Sequence, residues 1–170
     1  MSSIRVLFES DVIEIDGEVY HHHPKGGGLV SRSAHVAATA YIGPEATVSG
    51  RAQVLDRVRL EGAVRVSGDA VVKDDVCARD HVQFRGRSLT SGNAKLSDDV
   101  QVAGNSQVGG DVWILGKIRV SGNSKISGTG QLSGGSLIHN QEIVLPVART
   151  EPMPAPEPEP LLEAVGAGRD

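Results

Sequence analysis

Apolar residues recur along the middle of the chain with a period of six. Divided into sixes from Ser33 to Asn140, the sequence gives 18 hexads with no slip in register over 108 residues. The fourth position is Val, Ile or Leu in 15 of the 18 hexads, and the second is Ala, Val or Ser in 16 of them. Because these positions differ by two, both side chains point to the same side of an extended strand. Each hexad is therefore predicted to be a short strand that buries its second and fourth residues.

The sixth position of the hexads predicts a corner after each strand. It is Gly, Asp or Asn in 16 of 18 hexads, the residue types that adopt left-handed and turn conformations at least cost. A strand followed by a corner every six residues produces a coil with flat sides, in which each rung hydrogen-bonds to the rungs above and below. The pattern predicts an all-β, parallel β-solenoid with Val66, Val102 and Val120 in its core.

The repeat resembles the hexapeptide repeat of left-handed parallel β-helix proteins. The strings YIGPEATVSG and VSGDAVV, with the lead-in HHHPKGGG, are similar to hexapeptide-repeat proteins of tailed bacteriophages and bacteria. This resemblance implies triangular coils of three hexads, about six coils in total, and commonly a homotrimer. The left-handed coil is implied by the resemblance alone, since the general rule for parallel connections favours the right-handed form.

The chain divides into three parts by composition. These are an N-terminal β-hairpin cap or attachment segment with a Gly-rich linker (1–32), the repeat (33–140), and a C-terminal part (141–170). Val12–Tyr20 predicts a hairpin around Asp16–Gly17, a pair suited to a tight turn, with residues 4–8 as a further strand. Solenoid ends expose unpaired strand edges, so a cap at this end is expected. The histidines at 21–23, which precede Pro24 and three glycines, are predicted to form a solvated loop.

The C-terminal part begins with QEIVLPVA, which predicts one last strand over the open end of the solenoid. The following RTEPMPAPEPEP is rich in Pro and Glu and is expected to be a flexible tail. The closing LLEAVGAGRD is slightly apolar and is interpreted as a terminal docking peptide.

Three neighbouring hexads depart from the aliphatic fourth position. They carry Ala78, Phe84 and Thr90, so that one large residue stands between two small ones. Because a packed core tolerates neither voids nor excess volume, this arrangement is interpreted as volume compensation rather than as a ligand pocket. The lone Cys77 is likewise interpreted as a small packing residue.

Charge and hydropathy argue against two kinds of partner, nucleic acids and membranes. The net charge is −4, with acidic side chains concentrated toward both ends and a repeat that is about neutral, so no basic stripe for nucleic acid is present. No apolar run is long enough to cross a bilayer, and the start of the chain carries no basic leader. We expect a protein that is cytoplasmic when synthesised, and part of a virion if it belongs to a phage.

The resemblance also raises an enzyme alternative, because hexapeptide-repeat proteins include acyltransferases that use acyl-coenzyme A and some zinc carbonic anhydrases. The candidate bases are His35, His81 and His139, which lie in different coils and at outward or corner positions. His81 is the one weak catalytic candidate, since Asp80 stands beside it. Zinc would require three converging imidazoles. We therefore predict neither a cofactor nor a metal.

The outward third and fifth positions sort into three walls when three hexads form a coil. The first wall, with hexads beginning at 33, 51, 69, 87, 105 and 123, carries the aliphatic residues Leu55, Val71 and Leu89. The second wall, with hexads beginning at 39, 57, 75, 93, 111 and 129, carries Tyr41, Cys77, Trp113 and Leu115. The third wall, from 45 onward, carries Arg65, Arg85 and Arg119 with Gln83 and Gln101. We predict a homotrimer around the first wall, with Trp113 near a subunit or partner contact.

These features favour a non-catalytic structural or binding protein. The preferred interpretation is a trimeric β-helical decoration or spike-type component of a virion, attached to capsid or tail proteins through the N-terminal segment or the C-terminal tail. The alternative is a hexapeptide-repeat acyltransferase that uses acyl-coenzyme A. A third possibility is a polymer-forming scaffold similar to the bactofilins, which combine a β-solenoid with Pro-rich ends.

Overall fold

The computed structural model describes residues 4–7, through their backbone only, and residues 12–146. The predicted flexible tail and docking peptide lie outside the described residues, at 147–170. Regular structure in the described part consists of twenty β-strands. They are β1 Ile4–Leu7, β2 Val12–Ile15, β3 Glu18–His22, β4 Leu29–Ser31, β5 His35–Val36, β6 Tyr41–Ile42, β7 Thr47–Val48, β8 Gln53–Val54, β9 Arg59–Leu60, β10 Arg65–Val66, β11 Val71–Val72, β12 Cys77–Ala78, β13 Gln83–Phe84, β14 Leu89–Thr90, β15 Lys95–Ser97, β16 Gln101–Val102, β17 Gln107–Val108, β18 Asp111–Ser121, β19 Lys125–His139 and β20 Glu142–Leu145. No helix able to cross a membrane occurs among these residues.

The strands of the repeat pair in parallel with the strand 18 residues further along the chain. Gln83, for example, is in register with Arg65 on one side and Gln101 on the other. The backbone amide of Gln83 donates to the carbonyl of Val100 at 2.9 Å, and equivalent bonds recur from coil to coil. Since 18 residues are three hexads, each coil has three strands and the 108 repeat residues form six coils. The predicted all-β parallel solenoid is confirmed.

The core follows the predicted positions through the middle of the solenoid. Every second-position and fourth-position side chain from Ala40 to Ile126 is buried, including Val66, Val102 and Val120. The fourth-position exceptions at 78, 84 and 90 are also fully buried, with Phe84 the largest side chain in the core.

Burial of these positions was also predicted for the end hexads, where it is confirmed for Ile138 and wrong at the other positions. Ala34, Val36 and Leu132 are only partly buried, and Ser136 is exposed. The physical reason is that an end coil has a neighbouring coil on one side only. The strand of Val36 pairs with β8 alone, and no described strand pairs with residues 129–139 on their outer side.

The sixth position forms the corners in the left-handed region of the backbone. Asp56, Asp74, Asp80, Asp98 and Asn140 have φ between 52° and 69°, and the glycines at this position between residues 50 and 134 also have positive φ. The aspartates add a bond between coils, since Asp98 Oδ2 accepts from the amide of Gly116 at 2.9 Å. At Gly86, a Cβ would lie 2.9 Å from the carbonyl oxygen of Gly104. Glycine is therefore favoured at this corner by its φ of 72° and by the close approach of the next coil.

The N-terminal strands extend the sheet of the third wall. β1, β2 and β3 pair in antiparallel order, and the turn of the predicted β2–β3 hairpin is made by Asp16 and Gly17 with φ of 50° and 82°. β3 pairs antiparallel with β4, and β4 pairs in parallel with β7 of the first full coil. The cap strands thus share one sheet with the solenoid, and the edge of β4 is covered.

The histidine run does not form the solvated loop predicted for it. Residues 21 and 22 end strand β3, and His23 is 5% exposed with its Nδ1 3.1 Å from the carbonyl oxygen of Lys25. The pairing of β3 with β4 draws this segment into the sheet, which a reading of its polar composition did not foresee.

The last strand lies where the sequence placed it, over the end of the solenoid. β20 pairs in parallel with the start of β19, and Ile143 is in register with Ile126. The offset here is 17 residues instead of 18, so the repeat loses one residue after the corner at Asn140. Ile143 and Leu145 pack against the core and partly cover this end.

Candidate interaction surfaces

The constant 18-residue pairing places the outward third positions of each wall in a straight column. In the third wall, for example, Thr47, Arg65, Gln83, Gln101 and Arg119 follow one another in register. Strands in a sheet are about 4.8 Å apart, so side chains in such a column are stacked at contact distance. Each wall therefore presents a narrow flat strip whose chemistry is set by these columns.

The first wall carries the aliphatic strip. Val71 and Leu89 are direct neighbours in register on β11 and β14. Leu55 lies one coil below Val71, at the fifth position of its hexad, whereas Val71 and Leu89 are at third positions. The amide of Leu55 donates to the carbonyl of Val72. All three side chains are half-buried, so each leaves part of its apolar surface open to solvent. The three predicted interface residues thus form one diagonal cluster.

The second wall alternates aromatic and cationic side chains. Its column runs Tyr41, Arg59, Cys77, Lys95 and Trp113. The guanidinium carbon of Arg59 lies 5.6 Å from the centre of the Tyr41 ring, and Lys95 Nζ lies 4.6 Å from the centre of the Trp113 ring. Both distances are within the range of cation–π contacts.

Trp113 is the exposed large apolar residue of this column, with 47% of its surface open to solvent. With Cys77, Arg79, Lys95 and Leu115 it lines a shallow cavity of about 300 Å³. The predicted partner residue Trp113 is therefore accessible on the second wall, and it lies on a different wall from the aliphatic cluster.

An acidic residue links the cations at the lower part of the second wall. Glu61 accepts from Arg59 at 2.8 Å and pairs with Arg79 at 3.0 Å. The Cys77 side chain and then Glu61 raise the pKa of Arg79 above its ordinary value. Since exposed ion pairs contribute about 0–1 kcal/mol each, this network orders the surface rather than holding the fold together.

The third wall is polar, and its arginines have no acidic partners among the residues that the structure describes. Arg65, Arg85 and Arg119 are exposed, and no carboxylate in the described part of the chain pairs with them. By contrast, Arg51 and Arg57 at corner positions pair with Asp69 and Asp75 of the next coil. Within the described part of the chain, the third wall therefore presents exposed guanidinium groups without ion pairs.

The cap lies against this third wall and forms a groove that sequence reasoning did not foresee. Ile15, Asp16 and Tyr20 of the β2–β3 hairpin line a cavity of about 630 Å³ together with Arg65 and Arg85. The Asp–Gly pair in the sequence predicts the hairpin, but nothing in the local pattern indicates which wall of the solenoid the hairpin contacts.

Glu18 is the residue that joins the cap to the solenoid. Its Oε1 accepts hydrogen bonds from the Ser31 and Ser33 hydroxyls and the Gly50 amide, and its Oε2 accepts from Tyr20 Oη. The pKa of Glu18 is lowered, chiefly by the hydrogen bond from Ser31. Burial acts in the opposite direction and raises this pKa, and the bonds from Gly50, Tyr20 and Ser33 lower it further. Burial and the neighbouring Glu18 raise the pKa of Tyr20 to about 12.

The three candidate histidines are not brought together. His35 lies in the first coil, His81 in the third and His139 in the sixth. His81 Nδ1 is 3.9 Å from the carboxylate of Asp99, and Asp80, the neighbour expected to orient it, accepts instead from the amide of Asp98. His139 is bonded to Ser121 and Asn140, both at 3.0 Å. Among the described residues no group of His, Cys, Asp or Glu is arranged to hold a metal ion.

Comparison with known proteins found no family model, no curated protein and no solved structure that matches this chain.

Proposed function

We propose that the protein is a non-catalytic structural module, a short rigid rod that forms a homotrimer and is attached by its ends, as in decoration or spike-type components of virions. The observation that carries this proposal is the unbroken parallel ladder from β4 to β19. No loop interrupts the hexads, and the cap continues the same sheet at one end. Such a ladder is suited to spacing and attachment, because each coil is fixed to the next by backbone hydrogen bonds.

The first wall supports the trimer. A molecule with three walls can place one wall at a threefold axis and leave the other two exposed. Leu55, Val71 and Leu89 are half-buried in the single chain and form the aliphatic strip that such an axis would bury. Of the large apolar side chains that are exposed among the described residues, Trp113 and Leu137 lie on the other two walls and Val144 lies on β20. Burial of apolar surface contributes roughly 25 cal/mol per Å², so a cluster repeated in three subunits favours association.

On the third wall, the cap covers the N-terminal edge of the solenoid, which favours this proposal over an end-to-end polymer of the bactofilin type that adds to that strand. Polymerisation through that end would require a free strand edge to which another copy could add. The edge of β4 is occupied by β3, and β3 is followed by β2 and β1.

The acyltransferase alternative rests on His81. Its carboxylate neighbour Asp99 is 3.9 Å away, which is longer than a hydrogen bond, and His81 is exposed on the surface of the rod. The other two histidines lie in distant coils, so they supply no partner for acid–base chemistry at His81.

The proposal is tested by sedimentation of the full chain over a range of concentrations, combined with titration by acetyl-coenzyme A. We expect one species with the mass of three chains and no saturable binding of the coenzyme. A monomer at all concentrations would overturn the trimer. Coenzyme turnover that disappears in a His81→Ala variant would overturn the non-catalytic assignment.

A further inference from the structure

The groove between the cap and the third wall has the size of a small-molecule site. Its floor is made by the outward residues of three successive coils, and the tip of the β2–β3 hairpin forms its side. The volume of about 630 Å³ lies in the range of ligand pockets, roughly 300–1,000 Å³. The groove is held in shape by Glu18, which bonds to Tyr20 on the cap and to Gly50 on the solenoid.

The floor of the groove is a regular array of hydrogen-bond donors. Thr47 lies directly below Arg65 in register, and Ser49, Ser67 and Arg85 occupy the fifth positions of the same and the following coils. Since neighbouring coils are about 4.8 Å apart, these donors follow one another at that interval along the wall. It offers the hydroxyl groups of the first two coils and the guanidinium groups of the second and third coils.

The charge of the groove favours an anion. Arg65 and Arg85 have no ion-pair partner among the described residues, whereas Arg51, Arg57 and Arg59 each pair with a carboxylate. A guanidinium presents parallel N–H groups that bind a carboxylate or a phosphate in a bidentate manner. Two such groups, in adjacent coils and beside a cavity, suit one oxyanion between them.

Asp16 determines where such an anion would lie. It lines the groove at the hairpin tip and has contacts of its own. Its negative charge repels an anion at the tip, and its carboxylate oxygens accept bonds from hydroxyl groups. The groove thus combines an anion position near Arg65 and Arg85 with hydroxyl-binding positions near Asp16 and the Ser and Thr residues.

We propose that this groove binds an acidic saccharide, whose carboxylate or phosphate group lies between Arg65 and Arg85 and whose hydroxyl groups contact Asp16, Thr47 and Ser67. A simple anion would use only the arginines, and a neutral sugar only the hydroxyl-binding side. Recognition of both parts distinguishes an acidic saccharide from each. The site lies on the third wall, so it is independent of the aliphatic first wall.

The test is calorimetric titration of the full chain with glucuronate and with glucose 6-phosphate, with glucose and inorganic phosphate as reference ligands. We expect saturable binding of at least one acidic sugar, at least about tenfold tighter than binding of glucose or phosphate. Binding of glucuronate alone assigns a uronic acid, and binding of glucose 6-phosphate alone assigns a sugar phosphate. Absence of saturable binding by both would overturn the proposal.

Variants on the same wall separate the site from general surface charge. Arg65→Gln combined with Arg85→Gln should weaken binding by at least about tenfold, because both charged donors are lost. Arg119→Gln removes a positive charge from the same wall but outside the groove, and it should leave the affinity for the acidic sugar unchanged. Melting temperatures of both variants establish that they fold, which is expected since these side chains are exposed. Equal loss of binding in the control variant would contradict the assigned site.

Asp16→Asn tests the hydroxyl-binding side. The variant should bind inorganic phosphate more tightly, since a negative charge is removed, while its preference for the acidic sugar over phosphate decreases. An unchanged preference would remove Asp16 from the site. Trimer formation does not enter either measurement, so failure here leaves the proposed structural role intact.

Discussion

The carboxylate of Glu18 accepts a hydrogen bond of 2.9 Å from the backbone amide of Gly50, which lies 32 residues further along the chain. Gly50 is a corner of the first full coil, and Glu18 begins the second strand of the cap hairpin. The same carboxylate accepts from the hydroxyl of Ser31 on β4. One acidic side chain therefore joins the cap to the third wall, in addition to the pairing of β3 with β4.

This relationship predicts a pH-dependent contribution of Glu18 to stability. The folded-state pKa of Glu18 is lowered below 4.5, so its contribution is present above about pH 4.5 and is lost as the pH falls through the folded pKa. Glu18→Gln should lower the free energy of unfolding by about 1–3 kcal/mol at pH 7, and by less in acid. Thermal unfolding at both pH values measures this. The exposed Glu45→Gln serves as a control, and an equal loss for Glu18→Gln at both pH values would contradict the prediction.

The corner at Gly86 predicts different effects for two substitutions. Gly86→Ala places a Cβ 2.9 Å from the carbonyl oxygen of Gly104 at a φ of 72°, and should lower stability by about 1–3 kcal/mol. Gly86→Asp should cost less, because Asp98 occupies an equivalent corner and bonds to the amide of the next coil at 2.9 Å. Chemical denaturation of both variants provides the comparison. An alanine variant as stable as the aspartate variant would show that the hydrogen bond of the introduced aspartate does not stabilise the corner.

Thr90 is a buried residue whose replacement by a nonpolar side chain should increase the stability of the fold. The hydroxyls of Thr90 and its neighbour Ser88 have no hydrogen-bond partner within the described chain. Thr90 lies in register between Val72 and Val108, so Thr90→Val continues the column of valines. The variant should be more stable by about 1–2 kcal/mol, since an unpaired buried hydroxyl is removed. The shift of the denaturation midpoint checks this.

The control for that substitution is Ser106→Ala. Ser106 is equally buried, but its hydroxyl donates to the carbonyl of Ala103 at 2.6 Å, so its removal should lower stability. If Thr90→Val were as destabilising as Ser106→Ala, the hydroxyl of Thr90 would have to make a stabilising hydrogen bond, and the prediction would be wrong.

The core at Val102 predicts the strongest effect on folding. Val102 is fully buried between Phe84 and Val120, so Val102→Asp places an unpaired charge in the core. The cost of several kcal/mol is a large share of a total stability of about 5–15 kcal/mol. Far-ultraviolet circular dichroism should show loss of β-structure. Its outward neighbour Gln101→Asp should fold normally, and a folded Val102→Asp variant would contradict the assigned register.

The sequence was sufficient for the solenoid because each hexad repeats the same local information. Alternation at the second and fourth positions fixes which side of each strand is buried, and the corner residue fixes the turn. The 18-residue pairing of Arg65 with Gln83 follows once three hexads are taken per coil, a number that came from the resemblance.

The groove and the cap contact could not be predicted because they join residues far apart in the sequence. Nothing near Glu18 indicates that it bonds to Gly50, since an acidic residue after a turn is usually solvated. The burial of His23 depends similarly on the pairing of β3 with β4. The partial exposure of Leu132 depends on where the stack of coils ends. These features follow from tertiary packing, and the hexad pattern carries no signal for them.

The central claim, a structural trimer formed around the first wall, is tested most directly by the mass of the protein in solution. Multi-angle light scattering on the full chain should give three times the monomer mass of 17.8 kDa. Leu89→Glu should give the monomer mass, because three like charges would be brought together at the axis and repel. Gln101→Glu on the third wall should remain trimeric. A wild-type chain that is monomeric at every concentration, or a Leu89→Glu variant that keeps the trimer mass, would contradict the account.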